Sequence, residues 1–354
     1  MTPSRTQDTT QSRTQDATQA PSRATTRLGR PYWRLWWANT VSSTGDGAFV
    51  AALPLLAVTI TRDPRLVAVV TAATFLPWLL LSLPAGAVVD RYDRVTLMWR
   101  AQAIQAAVVT MIAILIVFRE ADIEVLAAAG FLLGSAEVIF SNAAQDATHP
   151  SIRAQVAEGL RWLAGHRLLR VVAVLLGIFN FANQMGQAIL VLLATQTLHV
   201  STRGFGLLLA ASAVGSVVGG LVNPVLSRRL GLLPSLVLPA LIDAAAFAGI
   251  GLAPGPVVVA ALLAVQGFSV TLWNVVTVSL RQRIVPAHLL GRVNSVYRML
   301  GWGLMPLGAL AGGFVAHAAG LRAPYIVAGL LCALSVLAAL PLLLAANRTA
   351  PVVR

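Results

Sequence analysis

Lysine is missing from this 354-residue chain, cysteine occurs once, and charged residues make up only 11% of it. The single cysteine, Cys332, excludes an intramolecular disulfide and argues against a cysteine metal site. The five histidines are scattered without the spacing of metal ligands, and no phosphate-binding loop, GxSxG or HExxH motif is present. We therefore expect no metal, no cofactor and no enzymatic activity.

Apolar sequence fills the chain instead. Hydrophobic residues account for 57% of it, and the mean hydropathy is +0.77. A soluble domain cannot bury this much apolar surface, whereas a helix of about 20 residues crosses the hydrocarbon core of a bilayer. The predicted fold class is an all-α polytopic membrane protein, a helical bundle. The ten predicted spans are 36–60, 66–89, 95–118, 124–144, 171–195, 204–226, 233–253, 256–280, 294–318 and 324–345.

The 26 basic residues, all of them arginine, orient the chain. With the N-terminus inside, 21 arginines lie in inner segments and five in outer loops. The positive-inside rule therefore predicts that both termini are cytoplasmic. Because the arginines lie between apolar spans, we expect no nucleic-acid partner. Arginine without lysine is typical of GC-rich bacterial coding, so the membrane expected is the bacterial cytoplasmic membrane.

Four segments are predicted along the chain. In residues 1–30 the run SRTQDTTQ is repeated as SRTQDATQ, a composition typical of a disordered tail, here cytoplasmic. Residues 31–150 hold four spans, and residues 171–354 hold six. Between them, Ile152, Val156, Leu160 and Leu163 recur at spacings of three and four and so share one helix face, with arginines between them. Residues 151–170 are therefore predicted to form a cytoplasmic amphipathic linker helix.

A short pattern occurs twice, once after the second span and once after the sixth. GAVVDRYDR begins at Gly86, and GGLVNPVLSRRLG contains Gly219. Gly86 precedes Asp90 by the same spacing as Gly219 precedes Asn223, and a basic turn follows each pair. Duplicated halves are common in transporters. The offset of 133 residues holds only four spans with their connections.

GAVVDRYDR resembles the signature loop of the major facilitator superfamily, Gly-x-x-x-Asp-Arg-x-Gly-Arg, with Asp93 in place of the second glycine. LRQRIVPAHLLGRVNSVYRMLGWGLMPLGALAGG, SSTGDGAFVAALPLLA and EGLRWLAGHRLLR resemble its enterobactin-exporter and macrolide-efflux branch, and the resemblance spans residues 32–345. That family has twelve helices, with its signature loops six helices apart. Here the loops lie four apart. The resemblance therefore implies that family helices five and six are missing, with a seam near residues 149–151.

The resemblance implies a secondary active transporter that exports a lipophilic drug or siderophore by proton-coupled alternating access. The expected partners are the lipid bilayer, a small-molecule substrate and protons. A homodimer is a hypothesis for covering the polar walls that the missing helices would leave in lipid. A non-transporting deletion remnant and an accessory membrane protein are the alternatives.

Ionisable groups inside spans are costly, so they are candidate pathway residues. Asp46 lies near the middle of the first span, where a carboxylate could take up a proton or a cation; a capped structural carboxylate is the alternative. Glu137, in the fourth span, is predicted to pair with Arg100 or to act in coupling. For Asp243, in the middle of the seventh span, a structural role is favoured over a functional one.

One face of the fifth span carries four amides: Asn180, Asn183, Gln184 and Gln187. They are predicted to face either a polar cavity or another helix as hydrogen-bonding partners. Trp273 and Asn274 in the eighth span add an aromatic surface and a polar group. The family's cavity is lined by helices one, four, seven and ten, and the resemblance puts Asp46, Glu137 and both groups on those helices.

The first copy of the repeat is predicted to form an inner gating loop. By resemblance, its members Gly86, Asp90, Arg91 and Arg94 contact neighbouring helices in bonds that break and form as the gate moves. The alternative is that these arginines only orient the chain. Further on, PLGALAGG at 306–313 supplies small residues for close helix contact.

Overall fold

The computed structural model describes residues 51–81, 92–118, 120–143 and 152–349, with single positions at 33, 37, 45, 47, 49 and 85. Two compact units divide the chain, Met1–Ala48 and Phe49–Arg354, and every contact below lies within the second. The described helices are α1 (Ala51–Ile60), α2 (Pro64–Leu80), α3 (Arg94–Val117), α4 (Ile123–Ala143), α5 (Ile152–Gly165), α6 (Arg167–Leu192), α7 (Thr202–Leu230), α8 (Leu232–Leu252), α9 (Pro256–Ile284), α10 (Ala287–Gly303), α11 (Met305–Ala319) and α12 (Ala323–Thr349). Helix α6 continues as one π-helical turn, Leu193–Thr197.

Eight stretches of helix among the described residues are long and apolar enough to cross a membrane. This confirms the all-helical membrane class. Helices α1 and α2 are apolar but shorter, and both predicted spans continue into residues outside the described ranges. The count of ten therefore stays a prediction. The eight stretches are Arg94–Val117, Ile123–Ala143, Arg167–Thr197, Thr202–Ser227, Leu232–Leu252, Pro256–Ile284, Ala287–Ala319 and Ala323–Ala345.

The ninth predicted span, 294–318, consists of two helices that meet at Leu304. Pro306 occupies the first turn of α11, and its ring nitrogen cannot donate to the carbonyl of Trp302. The Leu304 N–H bonds to that carbonyl instead and closes the end of α10. The proline thus divides one apolar run into two helices, which spacing alone did not predict.

Asp93, the residue that departs from the family signature, caps helix α3. Its carboxylate accepts hydrogen bonds from the backbone N–H and the hydroxyl of Thr96, both at 2.8 Å. The backbone bond holds the pKa of Asp93 below its usual value. Glycine could not supply this acceptor, so the departure has a local structural reason.

Helix α5 packs on α10 at the end of the bundle. A Cβ at Gly159 would lie 2.7 Å from the carbonyl oxygen of Arg292, and Glu158 forms an ion pair with Arg292. Leu163 is buried in an apolar cluster, whereas Leu160 on the same predicted face is exposed. The helix is therefore held by protein contacts on its Gly159–Leu163 side. The predicted tail, 1–30, and the seam near 149–151 lie outside the described residues.

The second copy of the repeated pattern joins α7 to α9. A Cβ at Gly219 would lie 2.6 Å from the carbonyl oxygen of Phe268, so the absence of a side chain permits close approach. One turn later, the buried Asn223 donates its amide N–H to the carbonyl oxygen of Leu272 at 3.1 Å. The glycine sets the distance, and the amide then bridges the two helices.

Replacing Asn223 by leucine should lower the free energy of unfolding by about 1 kcal/mol, the scale of one interhelical hydrogen bond in a membrane protein. Thermal unfolding of the purified protein in detergent measures this loss. Ser227→Ala is the matched control, because the Ser227 hydroxyl donates to the Asn223 carbonyl within its own helix. Equal destabilisation by both variants would contradict a bridging role for Asn223.

Candidate functional site

The middle of the bundle contains a polar layer between two apolar ones. One apolar cluster includes Leu190, Phe247 and Leu263, and the other includes Leu169 and Leu280. Phe179, on α6, packs against both clusters. The polar side chains of α6, α8 and α9 lie at this level, near the midpoint of each helix. Transporter binding sites commonly lie near the bilayer midplane, so this layer is the candidate site.

A cavity of about 110 Å³ opens within this layer, between α6, α8 and α9. Polar and aromatic groups share its wall, which suits a ligand with both characters. Its described lining residues are Leu176, Phe179, Asn180, Asn183, Pro239, Ala240, Asp243, Ser269, Val270, Trp273 and Asn274.

Two stacked aromatic rings form the apolar part of the wall. The rings of Phe179 and Trp273 have centroids 6.0 Å apart and planes inclined by 13°. Trp273 is buried, and its position one turn after Ser269 puts both side chains on the cavity side of α9. The wall therefore offers flat apolar surface beside hydrogen-bonding groups.

Two amides of α6 provide polar groups opposite α8 and α9. The amide nitrogen of Asn180 donates to the carbonyl of Leu176, one turn back, at 3.0 Å. This bond uses one amide proton and leaves the Asn180 carbonyl oxygen available as an acceptor. Asn183 lies one turn further along and is half-buried. Both side chains border the cavity.

Asp243 is the ionisable group in the cavity wall. Its side chain is only 4% exposed, and its Oδ1 atom has no hydrogen-bond partner among the described residues. The hydroxyl of Ser269, also in the wall, is buried and likewise unbonded. Pro239 lies one turn before Asp243 and cannot donate to the carbonyl of Ser235, so a backbone acceptor is freed nearby. The cavity thus holds several buried polar groups with unused bonding capacity.

The structure brings together four of the predicted site residues and separates two others. Asn180, Asn183, Trp273 and Asn274 all line the cavity. Gln184 is buried and Gln187 is half-buried, and neither lines the cavity. The face with four amides is therefore divided, because other helices pack on α6 and bury Gln184.

Glu137 lies on α4 and is not among the described lining residues of this cavity; one of its contacts is with Gln105. The amide nitrogen of Gln105, on α3, lies 3.3 Å from Glu137 Oε2. Arg100, the partner considered from the sequence, is exposed and lies more than a turn before Gln105. Arg94 is the first residue of α3. Four other predicted residues fall outside the described ranges: Asp46, Gly86, Asp90 and Arg91.

Seven of the described lining residues were not selected from the sequence as site residues, and three of the seven carry polar or aromatic groups: Asp243, Ser269 and Phe179. Asp243 carried a usable signal, since a carboxylate in the middle of a span is costly unless it is paired or functional. A second signal was Pro239, one turn earlier, because a proline within a transmembrane helix frees a backbone carbonyl. Phe179 carried none, as one more aromatic residue in an apolar span is ordinary.

In the part of the chain that the structure describes, no group of three or more His, Cys, Asp or Glu side chains comes together in a way that could hold a metal ion. Cys332 is buried in α12 as a free thiol and packs in an apolar cluster.

Comparison with solved structures shows the fold. A mutant of the nucleoside transporter NupG matches with a TM-score of 0.66 at 11% identity, covering 83% of this chain and 94% of that one. A bacterial homologue of the human lysosomal transporter Spinster, inward-facing and unoccupied, matches with a TM-score of 0.54 at 12% identity, covering 85% and 97%. At these identities the likeness concerns the fold alone.

Comparison of the sequence shows the family. No curated protein matches the chain. A family model described as transmembrane secretion effector matches residues 24–153 and 137–351, which together include nearly the whole chain. The helical bundle and its polar cavity are both consistent with this family match. The chain belongs to the transmembrane secretion effector family of the major facilitator superfamily and is a membrane transporter.

Proposed function

We propose that this protein exports a lipophilic small molecule by proton-coupled alternating access. The observation that carries the proposal is the cavity at the middle of α6, α8 and α9, where polar and aromatic side chains meet between two apolar layers. Amides at this depth are costly in hydrocarbon unless they bind something. A lipophilic drug or siderophore that partitions into the bilayer could enter such a site from the membrane.

Proton coupling is assigned to the N-terminal spans. Asp46 lies between two glycines in the first predicted span, where a carboxylate can gain and lose a proton as the site opens to either side. Glu137 on α4 is a second carboxylate within the N-terminal spans, where ionisable groups are candidates for coupling, and it accepts a hydrogen bond from Gln105 on α3.

The loop that contains Asp90, Arg91 and Arg94 is proposed to form the inner gate. The equivalent residue in the second copy, Asn223, bridges two helices through a backbone carbonyl. We propose that Asp90 makes a similar contact, which breaks when the gate opens. The arginine distribution supports cytoplasmic termini and a bacterial cytoplasmic membrane, with this loop on the inner side.

The absence of two family helices is part of the proposal. Helix α2 packs on both α4 and α11, and its counterpart in the repeat, α7, packs on α9. A helix equivalent to α11 would follow α4 and cover α7, but the linker helix α5 follows instead. Leu207 and Leu221 on α7 are 71% and 75% exposed. The family match also divides into two segments that overlap at 137–153, around the seam.

We propose that a second copy of the chain covers this face of α7 and closes the polar layer from lipid. Ten spans, four before the linker and six after it, would then come from each copy. A stable dimer, counted by single-molecule photobleaching in liposomes, is the expected state. A strictly monomeric protein that still transports would contradict this part of the proposal.

The transport proposal is tested in proteoliposomes with an imposed pH gradient and a panel of lipophilic drugs and siderophores. We expect gradient-dependent flux that Asp46→Asn abolishes, because the amide cannot release a proton. Glu120→Gln, an exposed loop carboxylate, is the matched control and should transport normally.

The alternative is a deletion remnant or accessory protein that inserts but does not cycle. Absence of flux with every compound, beside an active twelve-helix relative in the same liposomes, would favour it. If flux is unchanged in Asp46→Asn, the transport function is supported and proton coupling through Asp46 is contradicted.

A further inference from the structure

Among the described residues, Asp243 forms no ion pair. No Arg or His is among the described residues that line the cavity, and Oδ1 accepts no hydrogen bond from them. The nearby polar groups are neutral: Gln266, Ser269 and the thiol of Cys332. An ionised carboxylate in this setting is costly unless a cation accompanies it.

The remaining wall is suited to an organic cation. The faces of Trp273 and Phe179 lie parallel, and a cation near an aromatic face is attracted by the ring quadrupole. Asn180 borders the cavity, and its carbonyl oxygen is a hydrogen-bond acceptor of the kind that an N–H group of an amine needs. A metal ion would need oxygen ligands on the side that these rings occupy.

We propose that this cavity binds the ammonium group of a lipophilic organic amine, with Asp243 as its counter-charge and Trp273 as its aromatic contact. The proposal rests on the transport function above and narrows its substrate class. A lipophilic amine matches the charge and aromatic character of this wall, whereas the carboxylate of Asp243 repels an anionic siderophore. The role of Asp243 is then recognition of charge, in place of the structural role assigned from its position.

The test compares two ligands of the same shape that differ only in charge. Benzyltrimethylammonium carries a permanent cation, and neopentylbenzene replaces its nitrogen by carbon. Binding of each to the purified full-length protein in detergent is measured by calorimetry. Wild type should bind the cation at least about tenfold more tightly than the neutral isostere, because a desolvated cation–π contact alone gives about this factor.

Asp243→Asn should remove this preference and leave binding of neopentylbenzene unchanged, since asparagine preserves shape without charge. Asp243→Glu should restore part of the preference. Trp273→Leu should weaken binding of the cation by about tenfold and should weaken binding of the neutral isostere by less. Glu120→Gln is the control, an exposed carboxylate outside the cavity whose loss should change neither affinity.

Equal affinity of wild type for the two ligands would overturn the proposal, as would an unchanged preference in Asp243→Asn. If Asp243→Asn does not fold, the proposal is tested by comparing the cation preference of wild type with that of Trp273→Leu. Binding is measured without a pH gradient, so a negative binding result can be distinguished from a loss of transport. Transport of an anionic compound, together with no binding of the cation, would support the transport function and contradict the proposed amine site.

Discussion

Gly312→Ala is expected to destabilise the protein by about 1–3 kcal/mol, the cost of adding a methyl group to a packed contact. A Cβ at Gly312 would overlap the backbone carbonyl oxygen of Met185, and one at Gly308 would overlap that of Phe181. A backbone atom cannot move aside as a flexible side chain can, so α11 would have to separate from α6. The contact confirms the prediction that the small residues at 306–313 permit close helix packing.

A decrease in the melting temperature of the purified protein in detergent measures this effect. Gly291→Ala is the matched control, because Gly291 lies in α10 with open space around its Cβ position. In a helix interior, alanine is more stable than glycine by about 0.5–1 kcal/mol, so the control should gain stability. A lower melting temperature for Gly312→Ala and a higher one for Gly291→Ala would separate the effect of packing from that of helix propensity. A stabilised Gly312→Ala would contradict the close packing of α11 on α6.

Asn180→Leu and Asn183→Leu are each expected to lower transport about tenfold at low substrate concentration, and about a hundredfold together. Leucine has a similar volume but cannot bond to a polar substrate, and one lost bond of about 1.4 kcal/mol changes a rate tenfold. Initial flux into proteoliposomes measures the loss. Retained folding is checked by the melting temperature of each variant.

Gln187→Leu is the control for this experiment, because it alters an amide on the same helix that does not line the cavity. The comparison separates two hypotheses about α6. If all four amides face the pathway, Gln187→Leu should reduce flux as strongly as Asn183→Leu. If only the cavity amides bind substrate, Gln187→Leu should retain nearly wild-type flux.

Much of the architecture could be predicted from patterns within single segments. Predicted spans such as 233–253 and 256–280 coincide closely with α8 and α9, since hydrophobic length is a property of one helix. The division at Leu304 was not predicted, although Pro306 carries the signal. Hydropathy averages over a window and does not detect one missing N–H group.

The candidate site was only partly predictable. Helical periodicity put Asn180 and Gln187 on one face, but it does not state which part of that face another helix covers. Packing of α11 at Met185 and of α12 through the Tyr325–Gly186 hydrogen bond occupies the far end of α6. The cavity is therefore confined to the level of Asn180 and Asn183.

Composition and short motifs are local properties, so the amino-acid sequence was enough to predict a multi-span helical membrane protein that resembles a transporter superfamily. Which polar residues meet depends instead on how the helices pack. Asp243 and Trp273 are 30 residues apart on different helices, and nothing in either helix specifies their rotation toward a common cavity. That rotation is set by close contacts between helices, which depend on all of the packed surfaces together.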